Sequence, residues 1–195
     1  GSGLHTHFSV LDENGDNIFD DGGPKGTATL RHAVAGCMNA MRGSALVFCP
    51  HANSFDRMVP ESHAPTGVCW AYENRTAAIR IPGGDAKARR IEHRVAGADA
   101  NPYLVLTSIL GGALLGIEQD MQPVAPITGD AYTMKLDNLP LDWATAIDAF
   151  RKGPDVPGIF SSRLQTMMVE CKTQELRKFA RQVTHFEYDT YLEIV

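Results

Sequence analysis

The 195 residues are 44% hydrophobic and 21% charged, with a net charge of −5 at pH 7. Such usage excludes a disordered tail, a collagen-like repeat and a coiled coil, and the acidic balance predicts no nucleic-acid partner. No apolar run approaches the ~18 residues of a membrane span, and at roughly 150 residues per domain the length suits one domain.

Along the chain, Leu4, Thr6, Phe8 and Val10 alternate with His5, His7 and Ser9, a period of two that predicts a strand over 3–10. Residues 11–26 are rich in Asp, Asn and Gly and read as a loop. Residues 27–42 read as a helix with Leu30, Val34, Cys37, Met38 and Met41 on one face, Thr27 or Thr29 as its cap and Gly43 as its stop. Ser44–Cys49 is apolar but too short to assign, and Pro50–Pro65 is a long polar loop. Residues 68–72, 76–82 and 89–95 read as strands. A helix is expected from Pro102 to about Ile117 or Met121, a short one over Trp143–Phe150 and a long one over Ser161–Val183. Strands followed by helices give an α+β class.

Cys37, Cys49, Cys69 and Cys171 form no CxxC pair, so they read as reduced thiols in a cytoplasmic protein. The N-terminus shows neither the basic region nor the apolar stretch of a signal peptide. Its opening Gly1-Ser2-Gly3 is either an expression scar or the start of a fragment.

Two constellations carry chemistry. His5 and His7 are two apart on a strand, so both imidazoles share a face, as a divalent metal or a nucleotide would require. Two surface histidines would give the same pattern. Arg90, Glu92 and Arg94 likewise share a strand face. Seven cationic residues (Arg57, Arg75, Arg80, Lys87, Arg89, Arg90 and Arg94) fall within 57–94 of an acidic chain. That excess favours an anionic ligand such as a polyphosphate or dicarboxylate, against the alternative of a solvated charged strand at a sheet edge. Gly22-Gly23, Gly83-Gly84 and Gly111-Gly112 do not continue as P-loops, and no GxSxG elbow is present.

The strings GSGLHTH (1–7), NSFDRMVP (53–60), NRTAAIRIP (74–82), KARRIEHR (87–94) and ANPYL (100–104) together resemble the C-terminal part of the catalytic domain of the glutamine synthetase superfamily. The likeness weakens after about residue 125. It implies a curved antiparallel sheet lining an active-site barrel, backed by helices (1–125), with a C-terminal helical region (126–195). It makes Gly1-Ser2-Gly3 family sequence, so a fragment is expected. It also implies ATP and Mg²⁺ or Mn²⁺ as cofactors, and a homo-oligomer of stacked rings with sites between subunits. By the resemblance, His5 and Glu92 are metal ligands, and His7, Arg90 and Lys87 face the nucleotide. Gly1, Arg57 and Arg94 hold glutamate, and Arg75 and Arg80 surround the transferring phosphate.

The departures from the family pattern bear on the acceptor. Ammonia-using members carry Glu before the Ala-Pro of a VPGYEAP-like string, whereas this chain reads Val59-Pro60-Glu61-Ser62-His63-Ala64-Pro65. Neutral His63 offers a proton acceptor but no negative charge for ammonium. The resemblance is therefore closest in character to γ-glutamylputrescine or γ-glutamylpolyamine synthetase-like members. Glutamine formation from ammonia, with Glu61 substituting, is one alternative, and a non-catalytic assembly protein of the same fold is another. The segment 135–140 resembles the family's adenylylation loop, but Asp137 stands at the modified tyrosine's position.

Overall fold

The computed structural model describes residues 2–85 and 88–194. A four-stranded sheet, in the order β1-β4-β3-β2, lies against a helical layer. Its strands are β1 (Thr6–Phe8), β2 (Trp70–Tyr72), β3 (Ile79–Ile81) and β4 (Ile91–His93). β4 pairs antiparallel with both β1 and β3. The pairing of β2 with β3 is parallel, a departure from the all-antiparallel expectation. Parallel neighbours ordinarily need a long crossover. Here each strand is so short that residues 73–78 suffice, helped by a reversal at Glu73, whose φ is +52°.

β4 is central, which removes the edge-strand reading of its charges. Its odd-numbered residues Ile91 and His93 join Ile79 and Ile81 in the core, with the His93 ring 4.8 Å from that of Phe48. Burial pushes the His93 imidazole down to about 3, so it stays neutral and serves packing.

Helix α1 (Ala28–Met41) forms where the apolar stripe predicts, with Leu30, Val34 and Met41 fully buried. Thr27 caps it: its hydroxyl accepts from the Leu30 amide at 3.2 Å and donates to the Ile18 carbonyl at 2.7 Å. Thr27→Ala removes both bonds and is expected to cost about 1 kcal/mol, read as a lower urea midpoint. An unchanged midpoint would show that solvent caps the helix equally well.

The apolar Ser44–Cys49 stretch contains α2 (Ala45–Phe48), and the polar loop contains a 3-10 turn at Ala52–Arg57. Helix α3 (Pro102–Glu118) is capped by Asn101, which accepts from the Tyr103 and Leu104 amides at 3.0 and 3.4 Å. Helices α4 (Trp143–Lys152) and α5 (Val156–Ile159) follow, the latter unanticipated from sequence. The long C-terminal helix stops early: α6 covers Ser162–Phe179, and a separate α7 (His185–Tyr191) begins at a Thr184–Glu187 capping box. That box is a start signal inside the chain, and it explains the break. Among the described residues no helix is long and apolar enough to cross a membrane.

Cys37, Cys49 and Cys69 are buried and Cys171 is exposed, all as free thiols. Burial pushes Cys37 up to about 12 and Cys49 up to about 11, so neither is nucleophilic.

Candidate active site

Strand register assembles the charged residues. His7 on β1 lies opposite Glu92 on β4, and Glu92 lies opposite Arg80 on β3. An imidazole, a carboxylate and a guanidinium thus stand in one row across the sheet, on the face opposite Ile91 and His93. Residues two apart on a strand share a face, so His5 and Arg94 extend the row along it.

Glu92 is the hub, with its side chain only 5% exposed. Arg80 Nη1 donates to its Oε2 at 2.8 Å, while Arg94 Nε and His5 Nδ1 lie 3.4 and 3.2 Å from Oε1. Burial opposes the charge on Glu92, but the Arg80 hydrogen bond and the charges of Arg94 and Arg80 outweigh it. The carboxyl is held below its usual range. His5 moves down as well, through burial first and then the Arg94 charge, which leaves a neutral imidazole with a lone pair to offer.

The other contacts of the basic 57–94 block divide into two groups. Arg94 is 4% exposed and donates Nη1 to the carbonyls of Arg75 and Ala77, the latter at 3.2 Å. Arg57 donates to the Val95 carbonyl and reaches the corner beside His5, with Gly3 between them. Arg90 Nε donates to His7 Nδ1 at 3.1 Å, which places the His7 proton on Nε2, 3.6 Å from Glu92. Arg89 belongs elsewhere despite its place in the basic block. It is buried, pairs with Asp20 at 3.2 Å and donates to the Gly23 carbonyl at 2.6 Å, pinning the 17–24 loop. Gly1 and Lys87, both expected at the site, lie outside the described residues.

Arg75 and His63 are exposed and lie on loops; the Arg75 carbonyl accepts from Arg94, whereas among the described residues no hydrogen bond or ion pair joins the His63 side chain to the cluster. The His63 loop is backbone-strained, because Glu61 and His63 have φ of +65° and +63°, a region that side chains disfavour. Two neighbours had no sequence signal. Glu73 lies 3.2 Å from Arg80 Nη2, opposite its bond to Glu92. Tyr132 donates to the Ala64 carbonyl at 2.9 Å. Burial pushes its phenol up, with Arg94 opposing.

Among the described residues no group of three or more His, Cys, Asp or Glu side chains could hold a metal ion alone. The pair His5 Nδ1 and Glu92 Oε1, at 3.2 Å, nonetheless fits part of such a shell. Adjacent donors on an octahedral Mg²⁺-sized ion stand about 3 Å apart, and such ions draw their other ligands from water and phosphate. The His7 proton on Nε2 makes that residue a donor to anions rather than a ligand.

The sequence profile described as "Glutamine synthetase, catalytic domain" matches residues 1–191. The chain is 33% identical over 193 residues to the gamma-glutamylputrescine synthetase of Escherichia coli, covering 99% of this chain and 41% of that protein. It is 33% identical over 187 residues to the gamma-glutamylethanolamide synthetase of Streptomyces coelicolor, covering 96% and 40%. To the glutamine synthetase of Thermus thermophilus it is 32% identical over 202 residues, covering 98% and 45%. The solved ligand-free structure of GmaS superposes with a TM-score of 0.86 at 28% identity, over 99% of this chain and 45% of that one. The chain therefore spans less than half the length of these relatives.

Proposed function

The chain belongs to the glutamine synthetase family, and we propose that it supplies the phosphate-handling face of an ATP-dependent ligase. That ligase joins an amine to the γ-carboxylate of glutamate through a γ-glutamyl phosphate. The observation that carries this reading is the Glu92-centred row: a charged, nearly dry carboxylate bracketed by Arg80, Arg94 and two histidines. A purely structural sheet gains little from such a cluster, because buried ion pairs barely offset their desolvation.

In this mechanism two anions must meet. A glutamate carboxylate oxygen attacks the γ-phosphorus of ATP and ADP leaves, so the residues chiefly position and neutralise. Arg57 and Arg94 attract the glutamate carboxylates, Arg94 mainly through its charge because Nη1 is committed to backbone carbonyls. Gly1 belongs to the glutamate-binding loop. Arg80 and Arg75 offset charge on the transferring phosphoryl group. His7, held as a donor by Arg90, faces the nucleotide phosphates, with Lys87 at the adenosine end. His5 and Glu92 would hold Mg²⁺ or Mn²⁺, which when bound neutralises phosphate oxygens as a Lewis acid. In the second step the amine nitrogen attacks the acyl carbon, phosphate leaves and His63 takes the amine proton.

The acceptor in this reading is an alkyl amine or polyamine of the putrescine kind. His63 supplies no anion to attract ammonium, and the chain is 33% identical to synthetases named for putrescine and ethanolamine products. Ammonia is the second reading, favoured by the exposed Glu61 on the same loop and by the likeness to glutamine synthetases. We further assign residues 1–125 to the active-site portion and 126–195 to a helical region of one catalytic domain. The assembly would be a cytoplasmic homo-oligomer of stacked rings with sites between subunits.

ADP release by the full-length protein, with glutamate and Mg²⁺ across ammonia, methylamine, ethanolamine, putrescine and spermidine, tests this. An alkyl amine is expected to be preferred. His63→Glu should move the kcat/KM ratio towards ammonia by about tenfold or more, since one charged contact is worth that much discrimination. Ammonia as the best wild-type acceptor would overturn the alkyl-amine reading, and no turnover with any amine would overturn the ligase itself.

A further inference from the structure

We propose that Tyr132 is a positioning residue for amine selection, holding the His63 loop in place through the Ala64 carbonyl. The inference rests on the ligase reading for its catalytic consequence, but its structural half stands alone.

The loop over residues 59–65 adopts an unfavourable shape. Glu61 and His63 both sit in the left-handed region with Ser62 between them. Such residues relax unless their surroundings hold them. Two side chains supply the hold. Ser62 Oγ shares one proton between the Arg57 and Val59 carbonyls, at 2.7 and 2.6 Å, and accepts from the Ala64 amide at 3.3 Å. Those bonds are local to the loop. Tyr132, whose hydroxyl donates to the Ala64 carbonyl at 2.9 Å, reaches it from a turn far along the chain.

That turn is itself fastened. Asp130 accepts from the Tyr132 amide at 3.0 Å, and the Ala131 amide donates to Thr76 Oγ1 at 3.0 Å. Asn74 Nδ2 donates to the Gly129 carbonyl at 2.6 Å. Residues 129–133 thus clasp the Asn74–Thr76 turn, which carries Arg75, to the loop that carries His63. Tyr132 is the side chain through which this turn ties the phosphate side of the site to the amine side. Ala64 is buried, so losing this bond leaves its carbonyl without a partner and removes the clasp.

The test is Tyr132→Phe in the full-length protein, which keeps the ring and removes only the hydroxyl. KM for the preferred amine is expected to rise about tenfold, the effect of one lost hydrogen bond. KM for ATP and amine-independent ADP release with glutamate should stay at wild-type values. Thr133→Val is the control, because it removes the 2.9 Å bond to Asp130 on the same turn without touching the loop. Amide hydrogen exchange is measured on the same proteins. Residues 61–64 should lose protection in Tyr132→Phe and keep it in Thr133→Val, with α1 unchanged in both. Faster exchange in an enzyme that turns over no amine would uphold the clasp while the ligase reading fails. Unchanged loop exchange in Tyr132→Phe, or an equal rise in every kinetic constant in both variants, would overturn the proposal.

Discussion

Glu92→Gln is expected to reduce ligase turnover at least ~100-fold and to destabilise the fold by about 3 kcal/mol. Glutamine keeps the shape and removes the charge. Among the described residues, Arg94, 4% exposed, then has no carboxylate within reach, and Arg80 keeps only Glu73, which is 57% exposed. Breaking one side of a buried ion cluster costs more than the cluster contributes, because the remaining charge stays desolvated. Catalytically, His5 also loses the partner that completes the two-donor corner. Urea denaturation reads the first effect and ADP release by the full-length protein the second. A stable but inactive variant would assign Glu92 to chemistry alone, whereas a destabilised, fully active one would contradict the proposed site.

Gly36→Ala should destabilise the protein by roughly 3 kcal/mol or more, despite alanine's better helix propensity. Helices α1 and α3 cross with their backbones in contact. A Cβ on Gly36 would run into the Gly112 carbonyl and lie 2.6 Å from the Gly116 nitrogen. A Cβ on Gly116 would meet the His32 carbonyl and approach the Gly36 nitrogen to 2.7 Å. Backbone cannot swing aside as a side chain can, so the helices must separate along their shared length. The propensity gain of about 1 kcal/mol is outweighed. Gly111→Ala on α3 is the contrast: the atoms nearest its Cβ all belong to the Ile159 side chain, the first at 2.9 Å, and the cost should be about 1 kcal/mol. Thermal unfolding of the two variants side by side measures the difference. Equal melting temperatures would show that the crossing can open freely.

Local signals carried the secondary structure. Thr27 with its apolar stripe marked α1, and Asn101-Pro102 marked α3. The missed elements were short: α5 is a single turn, and α7 starts at the Thr184–Glu187 box, just past Val183, where the reading of the long helix ended. Its capping spacing was present in the sequence and could have been used.

Motif strings and the excess of arginine within 57–94 determined, from sequence alone, the family and most of the candidate site. Alternation put His5 with His7 and Glu92 with Arg94, because side-chain direction along one strand depends only on residue parity. Parity says nothing about which strands are neighbours. Only the tertiary structure placed β4 between β1 and β3, turning a charged stretch into a cluster around a nearly dry carboxylate. It likewise diverted Arg89 to Asp20, and it brought Glu73 to Arg80 and Tyr132 to Ala64. These pairings depend on register and on chain crossings, which arise when separate elements bury a common core, and no local periodicity encodes them.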